Sequence, residues 1–145
     1  MSSPRKKLVL HIGTHKTATT HLQGTLARNA QLLGERGLLY PKAGQIHNAH
    51  FKLTQALRDR ARADIGLEEL SPWPELMEEV QAAPQPLAVV SSEEFSLATD
   101  PARLAPLREK FDVRVVVYLR SPDQFVQSFY NQFVKDEVPA ETRTP

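Results

Sequence analysis

The chain has 145 residues, of which 41% are hydrophobic and 24% charged, so its composition is that of one globular domain and excludes a disordered chain. Its net charge of +1 gives no indication of a nucleic-acid partner, and its lack of cysteine excludes disulfides, thiolate metal ligands and cysteine nucleophiles. No apolar run approaches the ~18 residues of a membrane span, and the run 8–12 is too short for a secretory signal, so we expect a cytoplasmic protein.

The first half of the chain predicts a strand followed by helices. Residues 7–12 form a short, partly β-branched apolar run that Gly13 ends, which is typical of a buried strand. Apolar residues then recur every three or four positions from 19 to 36, which predicts one amphipathic helix with Gly37 at its C-terminal end. Beyond it, the sequence predicts a brief extended piece at 38–40 and helices at 51–63 and 72–83.

The second half alternates strands with helices. Continuous apolar runs at 87–92 and 113–119 predict two further buried strands. Asp100 and Pro101 are a typical N-cap and first residue of a helix, and Pro122 begins the last helix. Continuous apolar strands that alternate with helices indicate a three-layer α/β/α domain, with a parallel sheet covered on both faces.

Polar residues follow each of the three predicted strands. In open parallel sheets, ligands bind beyond the carboxyl ends of the strands. The functional residues are therefore expected in the segments 13–20, 91–94 and 120–128, which the fold brings to one edge of the sheet.

The segment after the first strand has the composition of an anion-binding loop. A glycine, a lysine and several hydroxyls precede a helix, where backbone N–H groups and the helix dipole attract negative charge. The spacing differs from that of the ATP or GTP P-loop, because Lys16 follows Gly13 by three positions rather than six and His15 precedes it. The candidate anion-binding residues are Gly13, Thr14, His15, Lys16, Thr17, Ala18, Thr19 and Thr20.

A second candidate phosphate site follows the third strand. Arg120 stands where that strand ends, and Ser128 lies eight residues further, about two turns into the next helix. An arginine fork and a serine hydroxyl together suit a second, separate phosphate. A purely structural role for the arginine is the alternative.

Together, the two motifs resemble those of sulfotransferases that use 3′-phosphoadenosine 5′-phosphosulfate (PAPS). Residues 13–23 look like the family's 5′-phosphosulfate loop, whose pattern is close to G-x-x-K-[TS]-[GA]-T-[TS]-x-L. Residues 120–130 look like its 3′-phosphate motif, an arginine followed by proline, serine and tyrosine two, eight and ten positions on. Ala18 stands where the family often has glycine, and alanine fits there if its φ is negative. The resemblance is nearest to the carbohydrate (heparan sulfate type) branch and to bacterial sulfotransferase-like proteins.

The resemblance implies a single PAPS-binding domain over residues 1–145 with the P-loop-like sulfotransferase fold. Family members are usually longer, so the chain is expected to correspond to their N-terminal portion. The implied enzyme moves a sulfuryl group from PAPS to a hydroxyl or amine of a small-molecule or carbohydrate acceptor, glycolipids included. The product is adenosine 3′,5′-bisphosphate (PAP), and no metal is needed. The alternatives are a non-catalytic fragment that binds PAP or PAPS, and a P-loop nucleotide kinase or NTPase.

The resemblance also assigns roles to individual residues. Lys16 is expected to neutralise the negative charge on the bridging oxygen as PAP leaves. Arg120 and Ser128 are expected to hold the 3′-phosphate. A glutamate just after the second strand is the base in the heparan-type branch, which favours Glu93 over Glu94. The alternative is that both carboxylates are solvated, or that one pairs with Lys16 or Arg120.

Several histidines and one tryptophan have competing interpretations. His11 lies inside the first strand and is expected to be a packed core residue. His47 and His50 lie in a glycine-flanked loop, where they are candidates for lining an acceptor pocket or supplying an alternative base. Trp73 stands between two prolines and is expected to be a packing anchor rather than a sugar platform.

Overall fold

The structure is a computed structural model that describes residues 4–13, 17–97 and 100–137. The described part forms an α/β fold. Its strands are β1 (Lys7–His11), β2 (Leu38–Leu39), β3 (Leu87–Ser91) and β4 (Asp112–Val116). Its α-helices are α1 (Thr19–Arg28), α2 (Ala30–Glu35), α3 (Phe51–Arg58), α4 (Trp73–Ala82), α5 (Leu107–Lys110) and α6 (Pro122–Glu137). Short 3₁₀ helices cover Arg60–Arg62, Glu93–Leu97 and Pro101–Leu104.

The strands form one parallel sheet in the order β2-β3-β1-β4, which confirms the predicted α/β class with a parallel sheet. The central strand β1 pairs with β3 on one side and with β4 on the other. His11 at the end of β1 is in register with Ser91 of β3 and with Val116 of β4. The carboxyl ends of three strands therefore lie level at one edge.

The hydrophobic core lies on one face of the sheet. Leu8 and Leu10 of β1 are two positions apart, so both side chains point to that face, where they pack against α3 and α4. Trp73 is fully buried in this cluster, and its indole Nε1 donates a hydrogen bond to the carbonyl of Leu53 at 3.1 Å. Its ring lies 6.2 Å from that of Phe95. The prediction that Trp73 is a packing anchor is thus confirmed.

The single helix predicted over 19–36 is interrupted at Asn29. Its backbone (φ −104°, ψ 15°) leaves the helical region, and its side-chain Nδ2 donates to the carbonyl of Thr25 at 2.8 Å. Its backbone N–H donates to the same carbonyl at 3.2 Å, so the end of α1 is held by both groups of Asn29, which a pattern of apolar spacings does not reveal. The helix predicted over 51–63 similarly ends at Arg58, because Asp59 is extended and its carboxylate accepts from the N–H of Ala61.

The described residues leave part of β4 and the segment after it without the cover that the sequence predicts. The apolar run 113–119 leaves the strand after Val116, and its side chains are exposed, with Val115 at 59% and Leu119 at 78%. β4 is the edge strand, and the described residues place nothing over these positions. Helix α6 also exposes Val126 and Phe129. A continuous apolar run indicates a strand that needs cover, but it does not say which part of a protein supplies the cover.

Candidate functional site

Three predicted segments begin at the same edge of the sheet. The N–H of Ser92 donates to the carbonyl of His11 at 3.1 Å, and the N–H of Ile12 donates to the carbonyl of Val116 at 2.9 Å. The loop after β1, the 3₁₀ helix after β3 and the segment after β4 are therefore neighbours at their starting points. This is the edge at which parallel α/β sheets bind ligands.

Four polar side chains form a hydrogen-bonded group here, which we call the strand-end cluster: His11, Gln23, Ser91 and Glu93. The hydroxyl of Ser91 lies 2.8 Å from Nδ1 of His11. Nε2 of Gln23 lies 3.2 Å from that hydroxyl and 2.9 Å from Oε2 of Glu93. Helix α1 thus bridges β3 to the carboxylate of Glu93 and holds that carboxylate in one orientation.

The two candidate bases have different surroundings. Glu94 accepts a hydrogen bond from Nη1 of Arg58 at 2.8 Å in a half-exposed ion pair, and this partner is neither of the two cations that the sequence suggested. Glu93 instead points toward buried polar groups. Burial raises the pKa of the Tyr40 phenol well above its usual range, and the nearby charge of Glu93 raises it further. The carboxylate of Glu93 is the one positioned inside the site.

His11 is buried, as predicted, with 2% of its surface exposed, but it belongs to the polar cluster rather than to the apolar core. Burial lowers the pKa of its imidazole, and the charge of Glu93 opposes that shift. The ring also lies 5.2 Å from the ring of Tyr118, which follows β4.

His50 is fully buried and ties its loop to β3. The N–H of Ser91 donates to Nδ1 of His50 at 3.1 Å, so Nε2 carries the proton and donates to the carbonyl of Pro41 at 2.8 Å. Burial lowers its pKa, although the backbone hydrogen bonds oppose the shift. Both ring nitrogens are engaged in hydrogen bonds. Neither one is therefore free to take the proton of a substrate hydroxyl or amine. His47 is exposed in a turn with a left-handed φ of 56°.

The anion-binding loop is described only at its two ends, because Thr14, His15 and Lys16 lie outside the described residues. Gly13 is buried at the first end. A Cβ built on it would lie 2.6 Å from Cγ2 of Thr19, so a side chain at this position would collide with the start of α1. At the second end, Thr19 is buried, Thr17 is half-buried and Thr20 is exposed.

Ala18 adopts a left-handed conformation (φ 61°, ψ 24°) at the N-cap of α1, so the negative φ that the sequence analysis required for alanine is not observed. This conformation costs an L-residue about 1–2 kcal/mol, and glycine much less. We expect Ala18→Gly to raise the free energy of unfolding by about 1 kcal/mol and the melting temperature by about 3 °C. Thermal melting followed by circular dichroism measures both.

Ala27→Gly is the matched control for that substitution. Ala27 lies in the same helix with ordinary helical geometry, so glycine there is expected to lower the free energy of unfolding by roughly 0.5–1 kcal/mol. Equal destabilisation by both substitutions would contradict the strain at Ala18.

The segment after β4 lies against the start of α1. Tyr118 lines an open cleft of about 350 Å³ together with Thr17, Ala18, His21, Leu22 and Thr25. Arg120, two residues further, is exposed, and Ser128 is half-buried on α6. The hydrogen bonds and ion pairs of the described residues do not join Arg120 to Ser128, so their shared phosphate site stays a prediction.

Sequence reasoning missed Gln23, although one signal was available. Gln23 lies four residues after Thr19 and so shares its helix face, which is the face turned toward the sheet edge. Ser91 was included only as the first residue of a candidate segment.

None of the helices in the described residues combines the length and apolarity that a membrane crossing needs. Comparisons with protein-family models, curated proteins and solved structures found no match to this chain.

Proposed function

We propose that this chain is a PAPS-dependent sulfotransferase of the P-loop-like fold, acting on a hydroxyl or amine acceptor that is a carbohydrate or a glycolipid. The observation that carries the proposal is the hydrogen bond from Gln23 to Glu93. It fixes a carboxylate beside the helix whose N-terminal loop has the anion-binding sequence. An oriented base next to a phosphosulfate loop is the arrangement that sulfuryl transfer to a neutral acceptor needs.

The proposed reaction combines the position of Glu93 with the role that the sequence resemblance gives to Lys16. The acceptor oxygen or nitrogen attacks the sulfur of PAPS, and the bond from sulfur to the 5′-phosphate oxygen breaks. Glu93 takes the proton that the acceptor loses, and Lys16 neutralises the negative charge on the departing oxygen. As in phosphoryl transfer, the transition state is loose, so positioning and charge stabilisation supply most of the catalysis.

Arg120 and Ser128 are proposed to hold the 3′-phosphate, which distinguishes PAPS from ATP. The cleft beside Tyr118 supports this assignment, because it brings the segment that leads to Arg120 against the start of α1. An arginine that binds a phosphate through two parallel hydrogen bonds contributes more than an ordinary neutral contact.

We expect Arg120→Ala to weaken the binding of PAP by about tenfold or more while changing the affinity for 5′-AMP by less than about threefold. Titration calorimetry with both nucleotides measures the difference. Arg114→Ala is the matched control, because Arg114 is an exposed arginine of β4 that pairs with Asp112 instead. If Arg120→Ala weakened both nucleotides equally, the assignment to the 3′-phosphate would be overturned.

A second candidate function is binding of PAP or PAPS without turnover. The apolar residues that follow β4 favour binding without turnover. They are exposed, so the side of the candidate site next to them is open to water. Closed active sites exclude water and thereby strengthen the electrostatic interactions on which transfer depends. Binding and turnover are separated by the Glu93 variant described in the Discussion.

A further inference from the structure

One buried ring nitrogen at the strand ends has no hydrogen-bond partner among the described residues. Nε2 of His11 makes no hydrogen bond with the described residues, although only 2% of the residue's surface is exposed. A buried polar atom without a partner costs about 1–3 kcal/mol, so native structures rarely keep one unless a ligand or water completes it. The other ring nitrogen, by contrast, is bonded to Ser91.

The strand-end cluster determines which nitrogen of His11 carries the proton. Nε2 of Gln23 can only donate, so the Ser91 hydroxyl accepts from it, and the carboxylate of Glu93 accepts the second amide proton. The hydroxyl proton of Ser91 is then directed to Nδ1 of His11, 2.8 Å away. Nδ1 is therefore the acceptor and Nε2–H the donor in the neutral ring, and burial favours the neutral form by lowering the pKa.

The free donor lies close to Gly13, the first residue of the anion-binding sequence. A Cβ built on Gly13 would lie 3.2 Å from Nε2 of His11 and 3.1 Å from Cε1, so this edge of the ring adjoins Gly13, two residues after β1. Cγ2 of Thr19, the first residue of α1, would lie 2.6 Å from the same Cβ, so α1 begins next to this edge of the ring. A group bound at the N-terminus of α1 thus meets both the helix N–H groups and this imidazole.

We propose that Nε2–H of His11 donates a hydrogen bond to a phosphate or sulfonate oxygen of a group bound at the N-terminus of α1. This inference rests on the proposed function and adds a ligand-binding residue to it. The donor is neutral, so it recognises the oxygen without adding a charge. Through Ser91 and Gln23, the same hydrogen-bonded chain links the bound oxyanion to the carboxylate of Glu93.

Two substitutions separate the two nitrogens of the ring. In His11→Asn the amide oxygen accepts from Ser91 in place of Nδ1, but no atom reaches the position of Nε2. In His11→Gln the amide nitrogen reaches that position. We expect His11→Asn to weaken PAP binding by about tenfold or more, and His11→Gln to stay within about threefold of the unmodified chain. Titration calorimetry below the melting temperature of each variant measures the affinities, and unchanged PAP affinity in a folded His11→Asn would overturn the proposal.

Nuclear magnetic resonance of the unmodified chain, labelled with ¹⁵N-histidine, tests the same contact without relying on how a variant folds. The expected spectrum shows His11 protonated at Nε2, and the Nε2 resonance shifts when PAP is added. Protonation at Nδ1, or an Nε2 resonance that does not move at saturating PAP, contradicts the proposal. If PAP does not bind at all, the proposed function fails. Inorganic phosphate is then the probe, and the same resonance decides whether His11 contacts an oxyanion.

Discussion

Replacing Glu93 with glutamine is expected to lower the rate of sulfuryl transfer by roughly 10²–10⁴-fold, the usual contribution of a general base. Glutamine keeps an oxygen that accepts from Nε2 of Gln23, so the strand-end cluster retains its shape. It cannot take the acceptor proton at neutral pH. The affinity for PAP is expected to change by less than about threefold, because Glu93 is not proposed to touch the nucleotide.

The assay is the release of PAP from PAPS, with octyl glucoside as hydroxyl acceptor and glucosamine as amine acceptor. Glu94→Gln is the comparison that discriminates between the two carboxylates. Its partner is Arg58 on α3, so turnover is expected to remain within about threefold of the unmodified chain. Loss of turnover in Glu94→Gln but not in Glu93→Gln would reverse the assignment. Nucleotide binding with no turnover in the unmodified chain, on either acceptor, would favour the second candidate function.

Replacing Trp73 with alanine is expected to lower the free energy of unfolding by about 3–5 kcal/mol, the range for large buried aromatic side chains. The indole is fully buried against Phe95. Its removal creates a cavity and also deletes the hydrogen bond from Nε1 to the carbonyl of Leu53. The corresponding fall in melting temperature is roughly 10–20 °C.

Two controls accompany the tryptophan variant. Trp73→Phe keeps most of the volume but loses the hydrogen bond, so an intermediate loss of about 1–2 kcal/mol is expected. Leu32→Ala removes an exposed leucine of α2 and is expected to stay within about 0.5 kcal/mol of the unmodified chain. Trp73 is the only tryptophan of the chain, so circular dichroism rather than fluorescence must follow unfolding. A Trp73→Ala variant as stable as Leu32→Ala would contradict the position of the core.

The sequence predicted the sheet well because its strands are continuous apolar runs. The runs at 7–12 and 87–92 correspond to β1 and β3, which are central strands with one face in the core. The break between α1 and α2 was not predictable from apolar spacing, since it lies in the backbone conformation of the single residue Asn29. The left-handed Ala18 was likewise hidden, because the sequence shows only that alanine replaces the commoner glycine.

The candidate site was predictable as a place but not as a set of contacts. Strand order alone brings Gly13 and Glu93 to one edge, because parallel strands end together. The bond from Gln23 to Glu93 depends on how α1 is rotated against the sheet, which no motif specifies. Similarly, the sequence predicted a packed His11, and only the contact with the Ser91 hydroxyl reveals which of its nitrogens is bonded.

The most direct test of the proposed function is calorimetric titration of the unmodified chain with PAP, 5′-AMP and Mg-ATP. If the sites for the 5′- and 3′-phosphates both form, PAP is expected to bind at least tenfold more tightly than 5′-AMP, a difference of about 1.4 kcal/mol. Mg-ATP is expected to bind more weakly than PAP, since it lacks a 3′-phosphate for Arg120 and Ser128. A preference for Mg-ATP would contradict the sulfotransferase assignment and favour a nucleotide kinase or NTPase, and a folded chain that does not bind PAP would contradict it as well.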